Sequence, residues 1–232
     1  MIDIHSHIIP NVDDGSTSMD ASINLLRDAI NEGITDIICT PHFRKMMFET
    51  SLTEIKIQFD KLVKEANLRK LDVNLYLGQE IYLRRPNALR EYNKSNYLMT
   101  INNTNWLLLE FSYTNDIDIS EVVYNAKLDG YNSIIAHIER YRYVDINQAI
   151  EIKNSGALIQ VNASSINGKY GFATKRKVMK FIKNGLVDFV ASDIHCTREN
   201  GMAKAYNKVE KKFGIEVANK LFKENAKILI NR

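Results

Sequence analysis

Short runs of Ile, Leu and Val recur along the chain, with little strict alternation of apolar and polar positions. They predict seven β-strands buried on both faces: Ile2–His5, Asp36–Cys39, Asn74–Leu77, Trp106–Leu109, Ser133–Ala136, Ala157–Val161 and Asp188–Ala191. Between most of them the apolar spacing lengthens to that of helices. Ser18 is placed to cap a helix carrying Ile23, Leu26 and Ile30 on one face and ending at Gly33. Thr53 begins another, with Ile57, Phe59, Leu62 and Ala66 on a looser face. Helices over Glu121–Asp129, Ala149–Ser155 and Thr174–Asn184 each stop before a glycine, the residue suited to the turn into the next strand. Two further helical stretches, Met202–Phe213 and Glu216–Glu224, follow the seventh strand. Repeated strand–helix units without a Gly/Pro/Ser-rich linker predict a single domain over 1–232, an α/β fold closed or nearly closed into a barrel. An open doubly wound sheet is the alternative. Either fold gathers ligands at the carboxyl ends of its strands.

All five histidines fall just past the end of such a run. His5 and His7 end the first strand, two residues apart, so that both project to the same side. His42 follows the second strand, His137 the fifth and His195 the seventh. Carboxylates stand at the same register: Glu80 after the third strand, Glu110 after the fourth, Asp193 after the seventh, and an acidic turn, Asn11-Val12-Asp13-Asp14-Gly15, after the first. Each piece alone is weak, since a lone His-x-His is usually accidental and a lone strand-end carboxylate usually structural. Together they predict one polynuclear metal centre, because packing alone needs a separate reason at every strand end. Nitrogen and oxygen donors without thiolate suit Mn²⁺, Fe, Zn²⁺ or Mg²⁺ rather than a structural zinc knot.

Composition narrows the partners. An apolar fraction of 45% and a charged fraction of 25% are ordinary for a soluble globular protein, and a net charge of +3 is too small to argue for nucleic acid or a membrane surface. The opening Met-Ile-Asp-Ile-His lacks a leader pattern and no run is long enough to span a bilayer, so a cytoplasmic, monomeric protein is expected. The cluster Lys175-Arg176-Lys177, Lys180 and Lys183 reads first as a solvated helix face, with attraction of an acidic phosphorylated tail as a second reading. A cysteine-dependent phosphatase needs an arginine six positions after its thiolate. Lys45 stands there for Cys39 and Met202 for Cys196, which excludes that chemistry.

The ordered motifs are His5-Ser6-His7, Val12-Asp13-Asp14-Gly15, Thr40-Pro41-His42, Gly78-Gln79-Glu80-Ile81, Leu108-Leu109-Glu110-Phe111, Ala136-His137-Ile138-Glu139-Arg140 and Ala191-Ser192-Asp193-Ile194-His195. In that order they closely resemble the PHP (polymerase and histidinol phosphatase) superfamily, and within it the metal-dependent protein-tyrosine phosphatases of bacterial capsule and exopolysaccharide loci, the CpsB type. The resemblance implies a distorted (βα)₇ TIM-like barrel with three metals, manganese foremost. His5, His7, Glu80 and Asp193 would hold one; Glu80, Glu110 and His137 a second; Asp14, His42 and His195 the third, with Asp13 as the fallback for Asp14. It also implies that Arg140, with Asp193 and His42 among the ligands, serves catalysis.

Three divalent ions carry six charges and four ligand carboxylates cancel four, leaving two that match a phosphate monoester dianion. A metal-activated hydroxide attacking phosphorus in line then needs no phosphoenzyme. Arg140 is the expected phosphate clamp, since guanidinium binds phosphate oxygens bidentately, and Arg44 and Arg198 are further candidates for substrate binding. The implied partner is the phosphorylated, tyrosine-rich tail of a bacterial tyrosine autokinase. Histidinol-phosphate phosphatase is the nearest rival activity, followed by a nuclease or proofreading module and by a non-enzymatic metal-binding scaffold.

Overall fold

Parallel strands form at all seven expected places, with bounds within two residues of those predicted, in the computed structural model, which describes residues 1–230. Two short strands are added, so nine stand where seven were expected: β1 (Ile2–Ser6), β2 (Asp36–Cys39), β3 (His42–Phe43), β4 (Asn74–Leu77), β5 (Glu80–Leu83), β6 (Trp106–Phe111), β7 (Asn132–Ile135), β8 (Leu158–Asn162) and β9 (Phe189–Ala191). They pair as two parallel sheets, in the orders β1-β2-β4 and β3-β5-β6-β7-β8-β9. Pro41, which has no N–H to give, lies between β2 and β3, and Gly78-Gln79 lies between β4 and β5. Hydrogen bonds cross both breaks, from Gly78 N to Cys39 O (2.9 Å) and from Glu80 N to Pro41 O (3.1 Å). At the other edge Asp193 N donates to His5 O (2.9 Å) and His7 N to Ile194 O (3.0 Å). The result is a mixed α/β fold around a curled parallel sheet.

The helices are α1 (Met19–Asn31), α2 (Leu52–Leu68), α3 (Ala88–Lys94), α4 (Ile119–Leu128), α5 (Ile146–Asn154), α6 (Ala163–Asn167), α7 (Gly171–Lys183), α8 (Met202–Phe213), α9 (Ile215–Asn219) and α10 (Lys227–Ile230). Ser18 caps α1 as expected, accepting from Ala21 N, and Gly33 takes the left-handed turn at φ 80°. Three helices start two or three residues earlier than predicted. Asp118 caps α4 and Asp145 caps α5 in a capping box with Gln148, while α7 begins at Gly171. The stretch expected as one helix over Glu216–Glu224 is α9 followed by a π-helical turn, Lys220–Glu224. No helix among the described residues is long and apolar enough to cross a membrane.

Alternation along each strand sorts the core into two parts. Residues such as Ile37, Leu109, Ile135 and Val190 pack outward against the helices, whereas Ile38, Leu108, Ile134 and Phe189 turn inward and meet Ile4 and Leu229. Two residues further along, the inward positions become polar: Glu110 follows Leu108 on β6, and Gln160 and Asn162 follow Leu158 on β8.

Candidate metal centre

The two short strands absent from the prediction carry two of the central residues. His42 opens β3 and Glu80 opens β5, and the parallel register sets them opposite one another. The Glu80 carboxylate is fully buried and touches four imidazoles. Its Oε1 lies 2.9 Å from His137 Nε2, and its Oε2 lies 2.9 Å from His42 Nδ1, 3.2 Å from His5 Nε2 and 3.3 Å from His7 Nε2. Burial alone would raise its pKa, but His5 and His42 hold it well below the usual carboxylate range.

Hydrogen bonds fix which nitrogens face the centre. His137 N donates to Gln160 Oε1 (2.8 Å), which identifies that oxygen as an acceptor, so His5 Nδ1 must donate to it at 3.2 Å. His7 Nδ1 donates to Asp13 Oδ2 at 2.7 Å. Both Nε2 atoms are then turned on each other at 3.1 Å, with Asp193 Oδ1 at 3.8 Å and 3.6 Å. Two imidazole lone pairs at that distance require a proton or a cation between them.

Asp13 and Asp14, adjacent in sequence, separate cleanly in space. Asp13 faces inward and accepts from His7 Nδ1, Gly15 N (2.9 Å) and His42 N (2.9 Å), which leaves it orienting two histidines. Asp14 is half exposed, with Oδ1 3.6 Å from both His42 Nε2 and His195 Nε2. Gly15 lets this turn lie flat, since a Cβ there would come within 2.2 Å of His7 O.

Glu110 completes the inner wall. Its Oε1 accepts from Tyr113 OH at 3.0 Å and its Oε2 lies 3.9 Å from His42 Nδ1. Burial, reinforced by the Glu80 charge, pushes its pKa up to about 7. Burial also holds His137 down at about 4, so that its imidazole is neutral at ordinary pH. Two of the delivering residues take left-handed backbone, His137 at φ 32° and Asp193 at φ 52°, which costs non-glycine residues about 1–3 kcal/mol each. Tyr141 braces the first turn, donating to Ala136 O (2.8 Å) and accepting from Phe111 N (3.1 Å). Asp3 braces the second by accepting from Ser192 N (3.0 Å) and from Ser192 Oγ.

Four sets of side chains bring donor atoms within 4.8 Å of one another: His7, Asp14, His42 and His195; His5, His7 and Asp193; His5, Glu80 and His137; and His42, Glu80 and Glu110. Every candidate ligand predicted from sequence lies in this cluster. The arginines divide. Arg140 and Arg198 both reach Asp193 Oδ2, at 3.5 Å and 2.9 Å, and Arg140 stacks over the Tyr113 ring at 4.4 Å. Arg44 instead stacks over Tyr82 at 4.2 Å. Cys39 is buried in the outer core with its thiol pushed up to about 12, in keeping with a packing role. Sequence reasoning missed Tyr113, Tyr141, Gln160 and Asn162; the last two could have been noticed as polar residues interrupting an otherwise apolar strand.

A family model for capsular polysaccharide synthesis proteins, CpsB/CapC, matches residues 1–231. Tyrosine-protein phosphatase CpsB of Streptococcus agalactiae is 37% identical, with 99% of this chain and 98% of the relative covered. Tyrosine-protein phosphatase YwqE of Bacillus subtilis is 32% identical, with 99% and 91% covered. A structure from crystallographic work on YwqE from Bacillus subtilis and CpsB from Streptococcus pneumoniae, described as metal-dependent tyrosine phosphatases, superposes with a TM-score of 0.91. Its identity is 29%, covering 100% of this chain and 95% of that one. With the motifs in order, the donor atoms converging and the match running along almost the whole length, the chain belongs to the CpsB/CapC family.

Proposed function

We propose that this chain is a metal-dependent protein-tyrosine phosphatase that uses three divalent cations, with manganese the principal metal and iron, zinc or magnesium as substitutes. The reading treats the two sheets as one distorted seven-unit (βα)₇ barrel, broken at Pro41 and Gly78, with the site at the carboxyl ends of its strands. His5, His7, Glu80 and Asp193 would hold one ion, Glu80 with Glu110 and His137 a second, and Asp14, His42 and His195 the third. The observation that carries this is the pair of Nε2 atoms of His5 and His7, turned on each other 3.1 Å apart beside Glu80. Buried polar atoms without hydrogen-bond partners at Glu110 Oε2 and His195 Nε2 fit the same group of ions.

Divalent cations there would polarise phosphoryl oxygens and make water acidic enough, with a pKa of roughly 7, to supply hydroxide near neutrality. The chain's own residues do the rest. Arg140, positioned by Tyr113 and Asp193, offers its remaining N–H groups to the phosphate oxygens, and Arg198 approaches the same carboxylate from the other side. Glu80, held ionised, and Asp193 keep positive charge localised, while Gln160 and Asp13 keep the two histidines in the tautomer that faces inward. No thiol participates.

The substrate we infer is phosphotyrosine in a protein, specifically the tyrosine-rich tail of a bacterial tyrosine autokinase governing capsule or exopolysaccharide assembly, acted on by this chain as a cytoplasmic monomer. The test is hydrolysis of a phosphotyrosyl peptide and of histidinol phosphate by chelator-stripped protein with and without Mn²⁺. Metal-dependent turnover of the peptide is expected, and turnover of histidinol phosphate alone would overturn the reading.

A further inference from the structure

Arg140 does not end at the metal centre. It also forms one wall of a cavity of about 480 Å³ shared with Tyr170 and Lys177, and that cavity runs into a second of about 540 Å³ along α7. The two share Arg142, Ala173 and Lys177. The outer one adds Arg176, Lys180 and Phe172, a residue 80% exposed.

This groove is unbalanced in charge. Among the described residues, none of Arg142, Arg176, Lys177 and Lys180 has a carboxylate oxygen within 4.0 Å. The walls contain two acids, Glu139 and Asp145, whose charges reach Lys177 but whose carboxylates are held by other donors. Glu139 is buried and accepts from Ser165 Oγ (2.6 Å) and Asn162 N (3.0 Å), and burial raises its pKa. Asp145 caps α5 through Asn147 N and Gln148 N. Arg176 and Lys180 are one helical turn apart, where like charges repel unless an anion lies between them. Lys177 is partly withdrawn from water, with Nζ donating to Tyr141 O at 2.6 Å and its pKa lowered by burial to about 8.

We infer that this groove binds carboxylate side chains of the substrate polypeptide that flank the phosphotyrosine, making Arg142, Arg176 and Lys180 determinants of peptide preference. The inference rests on the phosphatase reading above. A solvated helix face would display the same lysines, but it would not line a cavity continuous with the phosphate clamp. Continuity with Arg140 fixes where the phosphate end of the peptide sits, the excess of cations selects acidic neighbours, and Phe172 offers an apolar contact for the peptide beyond them.

The experiment compares wild type with the double variant Arg176→Glu, Lys180→Glu, both exposed and outside the metal centre. Three substrates are used: a phosphotyrosyl peptide with Asp and Glu flanks, the same peptide with Asn and Gln, and a small aryl phosphate. Wild type should have the lower KM on the acidic peptide, an advantage that shrinks as salt is added. Charge reversal should raise that KM about ten-fold and leave kcat on the aryl phosphate within about two-fold. Equal KM values for the two peptides in wild type, or a parallel loss on all three substrates in the variant, would overturn the groove. Failure of metal-loaded wild type to hydrolyse the aryl phosphate would overturn the phosphatase reading beneath it.

Discussion

Leu108 and Glu110 lie two residues apart on β6, face the same interior, and are 0% and 4% exposed. Around Leu108 the surroundings are Ile4, Ile38, Ile134, Phe189 and Leu229, and every neighbour gains from the absence of water. Around Glu110 stand His42, His137 and Glu80, where burial penalises charge and where Glu110 Oε2 has no hydrogen-bond partner. The contrast teaches a division of labour within single strands. The apolar layer holds the strands at fixed spacing, and the next layer carries the ionisable groups that such rigidity can bring close together. The polar layer is unfavourable by itself and becomes favourable when cations enter it.

Substitutions at the two levels should therefore fail in different ways. The largest effect is expected for Glu80→Ala, which removes the carboxylate that meets four imidazoles. Metal content and peptide hydrolysis should both be lost, and thermal unfolding of the metal-free protein should shift downward, because buried imidazoles lose the carboxylate that compensates them. Arg140→Ala should keep its metal by elemental analysis and lose about a hundred-fold or more in kcat/KM, the scale for removing one donor to developing negative charge. Leu108→Ala should do the reverse, costing about 2–5 kcal/mol in denaturant unfolding while metal stoichiometry is kept. Asp13→Asn leaves a residue able to accept from His7 but without the charge, and metal affinity by calorimetry should fall about 10–100-fold. The mildest effect is pH. Glu110, with a pKa near 7, is mainly protonated below that value and must lose its proton to become a ligand, whereas His137 near 4 is already neutral. Cation affinity should fall as pH drops through 7, about ten-fold per unit for each displaced proton, and His5, His7 and His42, whose pKa values Glu80 and, at His7, Asp13 raise against the effect of burial, add to that loss.

Much of this was legible in the residues. The strands were readable because parallel strands buried on both faces are continuous apolar runs, and His5, His7, His137 and His195 stand where those runs end. What escaped had local and long-range causes. β3 is only two residues long and β5 follows β4 after Gly78-Gln79 alone, so neither stood out as a separate strand, though they carry His42 and Glu80. The choice between Asp13 and Asp14 was invisible because it depends on how Gly15 folds the turn back onto His7. Tyr113 was missed because nothing local marks a tyrosine that will lie between a carboxylate and a guanidinium; only the approach of β6 to the turn after β7 gives it that place. The helix starts at Ile119 and Ile146 came earlier than expected because Asp118 and Asp145 cap them, ahead of the periodic positions used to place them.

Metal analysis of the intact protein tests the central claim most directly. The chain would be stripped with chelator, reloaded with Mn²⁺, desalted and assayed for bound metal and phosphotyrosyl-peptide hydrolysis in the same sample. Close to three equivalents retained, with activity rising as they are restored, is the predicted result. Full activity in the stripped protein, or no metal retained after reloading, would contradict it.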